Sequence, residues 1–435
     1  MIKMKKLILF LSLSGFSISV SSQEILTLDL AISEAVERNF SVKVAEKRVE
    51  AAENQIYKGN AGMSPQLDWI TNINGSVNQV NQVFVDDRKI NRLGQGFSPN
   101  TNLNLSWTLY DGRRMQVIYN RLQTQGQESL LQKKLVVQNV ISNVMQVYYE
   151  ILRQKKSVEY LGQIIKYYEE RLNITEERWQ IGRGSKLDYL QSKTDLTTQQ
   201  VELVSAENQL RTSKVRLNNL LGTPADRSFE AEYISDEAPI YNLNTLLDQA
   251  RSSNRDLLLL NKGIELSLLA EQEAFSFKKP RIALNSGFGY SFNRNNAGFL
   301  ALNQSVGLTA GVSAVWNIFN GHQTQRDIQF ARINTEVIQT QKQELLNQLE
   351  ADLTASYYQF EADRELLNLE QANKEVAEEN LNISLEKFRL GASTILELNE
   401  AQRRYDLSLN RLVNAQYNLR ISELELLRMS GTLVE

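Results

Sequence analysis

Four segments of the chain alternate strictly between apolar and polar residues. Leu67, Trp69, Ile73 and Val77 fall on one phase, against Gln66, Asp68, Asn72, Asn74 and Asn78 on the other. Leu103, Leu105, Trp107 and Leu109 interleave with Asn102, Asn104, Ser106 and Thr108. Ile282, Leu284, Phe288, Tyr290 and Phe292 interleave with Ala283, Asn285, Gly287, Gly289 and Ser291. Val306, Leu308, Ala310, Val312, Trp316 and Ile318 interleave with Gly307, Thr309, Gly311, Ser313 and Asn317. A period of two predicts strands with one face in an apolar phase and the other in water. We expect strands over about 66–80, 101–110, 281–292 and 305–318. Segments of about ten residues with aromatic ends fit a transmembrane barrel; a half-buried soluble sheet is the plainer alternative. Four strands close no barrel with a lumen, since single-chain barrels begin at about eight. Lipid does not tolerate open edges. Membrane strands would therefore need several chains in one barrel, three of them giving about twelve strands.

Elsewhere the period is helical. Leu28 to Tyr57 and Leu243 to Phe275 read as amphipathic helices, each followed by a proline, Pro65 or Pro280. The run from Gly112 to Gly182 contains no proline, and as one helix would reach about 100 Å at 1.5 Å per residue. The return helices run to Leu221 and Met429. Tyr189, Leu196, Leu203, Leu210 and Leu217 recur every seven residues, as do Leu398, Tyr405, Leu412, Leu419 and Leu426. Ala401, Ser408, Ala415 and Ser422 sit three residues beyond members of the second series. Such a repeat with a small second position predicts a close-packed, left-handed coiled coil. The alternative is an amphipathic helix on a globular core, for which the chain offers little other apolar material.

The two patterns occur twice. Trp107, Gly112, Tyr148, Gly182 and Gly222 reappear as Trp316, Gly321, Tyr357, Gly391 and Gly431, all at an offset of 209 positions. Internal duplication of this kind sets the architecture. The first copy carries six more residues between its proline and its tryptophan (Pro65 to Trp107 against Pro280 to Trp316), which we expect in the loop between its strands. The expected plan is a signal peptide over 1–22, a first repeat over 23–222, a linking or equatorial segment over 223–242 and a second repeat over 243–435. The helical hairpins cover 112–221 and 321–430, with tips near 182 and 391.

Composition narrows the chemistry. The basic start Met1 to Lys6, the apolar run Leu7 to Val20 and Ser21-Ser22 form a secretory signal, too short to span a bilayer. A net charge of −3 gives no support to nucleic-acid binding. With no cysteine and the single His322, which we read as structural, thiolate metal sites, disulfides and a histidine triad are excluded. Gly182-Arg-Gly-Ser-Lys186 lacks the spacing of a phosphate loop and reads as a helix-ending turn. No enzymatic constellation and no cofactor site is expected.

These residues resemble the TolC-like outer-membrane efflux family over essentially the whole mature chain. The resemblance rests on the duplicated plan and two helix-turn motifs. These are Glu177-Arg-Trp-Gln-Ile-Gly182-Arg-Gly-Ser-Lys-Leu-Asp188 and Glu386-Lys-Phe-Arg-Leu-Gly391-Ala-Ser-Thr-Ile-Leu-Glu397. It rests also on the paired endings Leu220-Leu-Gly222-Thr-Pro and Met429-Ser-Gly431-Thr. It implies a mainly α fold with membrane β: a homotrimer whose twelve-stranded β-barrel in the Gram-negative outer membrane continues as a periplasmic α-helical barrel. The implied partners are outer-membrane lipid, a periplasmic adaptor and an inner-membrane pump of RND or ABC type. The implied function is the passive exit duct of a tripartite efflux or type I secretion system. The competing class is an exported structural or adhesive coiled-coil protein.

The resemblance further places Gly182, Arg183, Gly184, Gly391, Ala392 and Ser393 at tips that meet the adaptor. Glu397 and Glu400 share a helix face. With Asp188 they match the family's periplasmic constriction, where crowding in a trimer would raise their pKa values. Gln191 stands where the second copy has Glu400. Phe388 and Ser393 occupy positions where relatives carry a tyrosine and an arginine that hold the tip closed, so closure here uses other contacts or is looser. The transported substrate is not legible in the chain.

Overall fold

The computed structural model describes residues 24–235, 238–297 and 300–433. The expected signal peptide lies outside them. In chain order the elements are β1 (Glu24–Leu26), α1 (Leu28–Arg38), α2 (Phe40–Gln55), β2 (Gln66–Val83), β3 (Lys89–Tyr110), α3 (Arg114–Gln180), α4 (Lys186–Leu221), β4 (Phe229–Ala231), α5 (Leu243–Ser253), α6 (Arg255–Ser276), β5 (Arg281–Asn295), β6 (Leu302–Val315), α7 (Gln323–Arg389) and α8 (Ile395–Ser430). The duplication is visible in the lengths: α3 and α7 have 67 residues each, α4 and α8 have 36 each. Two compact units do not follow the repeat. One comprises residues 24–35 and 144–235, the other 36–143 and 238–433.

The second unit holds a four-stranded antiparallel sheet of order β2-β3-β5-β6. Register aligns much of the apolar phase across all four strands, with exceptions such as Leu105 opposite Ser286. Trp69, Leu103, Phe288 and Leu308 form one row, and Asn72, Asn100, Ser291 and Ser305 form a row of the opposite phase. One face is therefore largely apolar and the other rich in amide, hydroxyl and glycine. The apolar face is uncovered: Trp69 is 79% exposed and Leu308 74%. The two outer strands, β2 and β6, pair on one side only among the described residues. No helix among those residues is long and apolar enough to cross a membrane.

Two expectations about this sheet need correction. The segment 89–100 is strand, where the alternation was legible only from about 101. Gly94, Gly96 and Pro99 interrupt the pattern, and the ladder to β5 skips Ser98 and Pro99, as a residue without an N–H requires. The six extra residues of the first copy also do not lie in the turn. β2 and β3 pair from Gln66–Ser106 to Val83–Lys89, whereas β5 and β6 pair only from Arg281–Val315 to Arg294–Leu302. The first turn spans only 84–88, while β5 ends at Asn295 and β6 begins at Leu302. Beyond Gly96–Asn295, β2 and β3 continue as a two-stranded ribbon.

The helices preceding each strand pair are also divided, where the sequence read as single helices. Asn39 and Asn254 make the breaks. The Asn39 side chain accepts from Ser41 N at 2.8 Å. Asn254 ends α5, and its Oδ1 accepts from Asp256 N and Leu257 N at 3.1 and 3.2 Å. A short amide side chain competes with the helix ladder and caps a new helix instead. Asn254 Nδ2 also donates to Met429 O at 3.0 Å, tying the α5–α6 junction to the end of α8.

The heptad on α8 is a seam. Leu398, Tyr405, Leu412, Leu419 and Leu426 are buried, as are Ala401, Ser408, Ala415 and Ser422. Leu353, Phe360 and Leu367 of α7 and Leu246 and Ala250 of α5 complete one cluster with Leu412, Ala415, Leu419 and Leu426. Burying each large apolar side chain contributes roughly 1.5–3 kcal/mol.

In the first unit the α4 heptad is less enclosed: Leu196 and Leu217 are buried, Leu203 and Leu210 half-buried. A buried Arg171 on α3 bonds Asp195 on α4 at 2.5 Å and lies over the Tyr168 ring. β1 and β4 pair in parallel. Tyr148 Oη donates toward Leu26 O and Glu232 O at 2.8 and 2.9 Å, beside that pair. Burial pushes its phenol up to about 12.

Gly431 ends α8 at φ 78°, and a Cβ there would lie 2.5 Å from Ser253 O. Gly182 has φ 72° with open space around it. Asparagine tolerates the left-handed region. Gly431→Asn should therefore destabilise by about 2 kcal/mol or more, and Gly182→Asn by under about 1 kcal/mol. Thermal denaturation in detergent tests this, and equal shifts would refute the close approach.

Candidate functional site at the helical turns

Both long hairpins turn by the same backbone device. After α3, Gly182 N donates to Trp179 O at 3.1 Å and Arg183 N to Arg178 O at 2.8 Å. After α7, Gly391 N donates to Phe388 O at 3.0 Å and Ala392 N to Lys387 O at 2.8 Å. Both glycines are left-handed, φ 72° and 76°. This is the paired carbonyl capture that ends a helix on glycine. Gly184 has a separate reason: a Cβ there would approach Arg178 Cβ to 2.8 Å and its backbone carbon to 3.2 Å. Gly182, Arg183 and Gly184 thus gather in the first turn, and Gly391, Ala392 and Ser393 in the second.

The return helices start on hydroxyl caps. Ser185 Oγ accepts from Leu187 N at 3.0 Å. Thr394 Oγ1 accepts from Glu397 N, and Glu397 Oε2 accepts from Thr394 N, both at 3.3 Å, a complete capping box. Asp188 and Glu397 therefore hold matched places in the first turns of α4 and α8, where a carboxylate also opposes the helix dipole. Their conformational role is independent of any conduction.

Glu400 lies one turn further along. Arg403 bonds it through Nε and Nη2 at 3.0 and 2.9 Å, and Arg404 through Nε at 2.8 Å. Hydrogen bonds from Arg404 and then Arg403 hold the Glu400 carboxyl below the usual glutamate range. Within one chain its shift is opposite to the one crowded carboxylates would produce. Sequence reading missed these two arginines, although their spacing of three and four from Glu400 is the signal for helical ion pairs.

Apolar side chains stand exposed beside both turns at matched positions. Ile181 and Leu187 flank the first, Leu390 and Leu396 the second. The aromatic residues differ: Trp179 stacks on Tyr189 with 5.2 Å between ring centroids, and Lys186 lies over Trp179. Phe388, at the corresponding place, is buried.

The family model described as outer membrane efflux protein matches residues 31–223 and 246–432. The outer membrane protein TolC of Vibrio cholerae serotype O1 is 22% identical over 398 residues, covering 91% of this chain and 88% of that protein. The fold is similar to that of the outer membrane protein VceC of Vibrio cholerae, with TM-score 0.75, 17% identity and coverage of 93% and 96%. It is also similar to the CmeC outer membrane channel of Campylobacter jejuni, with TM-score 0.78, 16% identity and coverage of 94% and 86%.

A carboxylate with a depressed folded pKa contributes stability above its unfolded value and loses it as pH falls through the folded one. Glu400 should therefore stay ionised at acid pH where an ordinary glutamate is half protonated. Carbon-13 NMR titration of labelled glutamate should show this, with Arg404→Gln moving the midpoint up. An unchanged midpoint would remove Arg404 as the cause.

Proposed function

Because the chain belongs to the outer membrane efflux protein family, we propose that it is the exit duct of a tripartite efflux or type I secretion system. It conducts passively from an inner-membrane pump, of RND or ABC type, through a periplasmic adaptor to the exterior. The supporting observation is the sheet: largely apolar and uncovered on one face, rich in amide and glycine on the other, with β2 and β6 each lacking an outer partner among the described residues. In lipid those edges need strands, and a second copy supplies them. Three chains of four strands give about twelve, enough to enclose a lumen. The apolar face then meets the bilayer and the polar face lines the path.

The long hairpins form the periplasmic part of the same homotrimer. Gly182, Arg183, Gly184, Gly391, Ala392 and Ser393 meet the adaptor, and the exposed Ile181, Leu187, Leu390 and Leu396 extend that surface. Glu397, Glu400 and Asp188 line the periplasmic constriction. The duct lowers no chemical barrier; it supplies a wet path through lipid. A coiled-coil adhesin would give no reason for a sheet with this two-faced register.

Purified protein should be trimeric by native mass spectrometry in detergent and should form conducting pores in planar bilayers. A monomer, or trimers without conductance, would refute the duct. Leu390→Asp with Leu396→Asp should abolish cross-linking to the adaptor and efflux in cells while conductance persists. Retained cross-linking would remove the tips as the docking surface.

A further inference from the structure

Within the second unit the two copies meet along one junction. β3 pairs with β5, Leu103 opposite Phe288 and Trp107 opposite Leu284. Beside that ladder α6 lies against α3. Arg121 bonds Glu273, Thr124 Oγ1 donates to Glu265 at 3.0 Å, and Lys262 Nζ donates to Gln127 at 2.7 Å. The duplication gives each of these residues a counterpart. Asn39 and Asn254, like Pro65 and Pro280, are 215 positions apart, and Trp107 and Trp316 are 209 apart. The ladders keep both offsets, since Gln66–Ser106 recurs as Arg281–Val315. Lys262 and Glu265 bond each other at 2.8 Å, and their counterparts on α2, Lys47 and Glu50, do so at 2.5 Å. Yet the Lys262 side chain is 27% exposed and that of Lys47 79%. On α7, Phe330, Ile333 and Glu336 stand where α3 has Arg121, Thr124 and Gln127, and all three are exposed. Thus α2 and α7 each present, uncovered, one half of a contact that α6 and α3 complete.

We propose that each copy of the chain joins the next by repeating this internal junction. β6 of one copy pairs with β2 of the next, Val312 opposite Ile73 and Trp316 opposite Trp69, and α7 packs beside the next α2 with Glu336 bonded to Lys47. The inference rests on the proposed duct of several copies, and adds which faces meet and in what register. Carrying the β3–β5 ladder over by the two offsets sets apolar side chains against apolar ones, and all four stand exposed in the single chain. Trp316 lies one residue past the end of β6, so the pairing lengthens that strand. Chain order supports the helix contact. α2 leads into β2 and β6 leads into α7, as α6 leads into β5 and β3 into α3, so one strand pairing brings its helix pair with it. Charge supports it too: where Lys262 meets the amide of Gln127, Lys47 would meet the carboxylate of Glu336. Phe330 and Ile333, in place of Arg121 and Thr124, make the contact between copies more apolar than the one within, as permanent interfaces are. The two faces differ, so the contact is head-to-tail and closes into a ring.

The chain has no cysteine, so introduced cysteine pairs in the full-length protein report the contacts directly. Residues directly opposite on neighbouring strands lie within reach of a disulfide, and residues four positions along do not. Val312→Cys with Ile73→Cys, oxidised with copper phenanthroline, should give covalent trimers on denaturing gels. Val312→Cys with Val77→Cys should stay monomeric there. Lys47→Cys with Glu336→Cys should be joined between chains by a short bismaleimide. Lys262→Cys with Gln127→Cys, treated with the same reagent, should be joined within one chain and migrate as monomer. The substituted side chains of the interchain pairs are exposed, and native mass spectrometry reports that the variants still assemble. Trimers in which the internal pair links but either interchain pair does not, or in which Val77→Cys links in preference to Ile73→Cys, overturn the repeated junction and leave the duct standing. A monomeric unmodified protein refutes the duct itself.

Discussion

Every backbone N–H and C=O in hydrocarbon must find a partner within the protein. That requirement bears on this chain because, among the described residues, its sheet ends on both sides in strands with one neighbour each. The first copy supplies β2 and β3, the second β5 and β6, and the junction between copies is itself a paired ladder, β3 to β5. One chain thus pairs its internal edges and, among the described residues, leaves β2 and β6 with one neighbour each. The remaining features follow from holding these strands in register: a matched amphipathic helix pair before each hairpin, a matched left-handed glycine after it, and helices of matched length beyond.

The helical part meets a different demand. A long hairpin in water gains little from helix propensity and depends on its buried seam. On α8 that seam alternates large residues with alanine and serine, which lets α7 approach closely along its length. Asn254 and Gly431 then fix one end of α8 against the α5–α6 junction. Only a residue without a Cβ fits beside Ser253, and only a side chain with both donor and acceptor can cap α6 while holding Met429 O.

Much of this was legible in the sequence because the physics was local. Alternation in 66–80 and 281–292 identified strands, and a constant offset identified the duplication. Heptads placed the α8 seam at Leu398 through Leu426. What was not legible depended on partners far away in the chain. Gly94, Gly96 and Pro99 read as loop residues, yet β2 holds them in a ladder whose other members are regular strand. Asn39 and Asn254 sat in helical context, and nothing in the spacing showed that their side chains would replace the ladder. At the turns, the acidic positions stood out while Arg403 and Arg404 were passed over, although helical neighbours are what set a surface carboxylate's charge.

The ribbon above the sheet shows where the fold is free to vary. Its additional residues are shared between β2 and β3, on either side of a turn that stayed short. Growth about a turn leaves every pair below it opposite its old partner and every side chain on its old face. The reach of the first hairpin can therefore drift between relatives without disturbing the registers beneath it. By contrast, one residue added near Gln66 would turn the whole apolar row inside out. Variation in length should accumulate at that distal end, making it a record of the surroundings each lineage has faced.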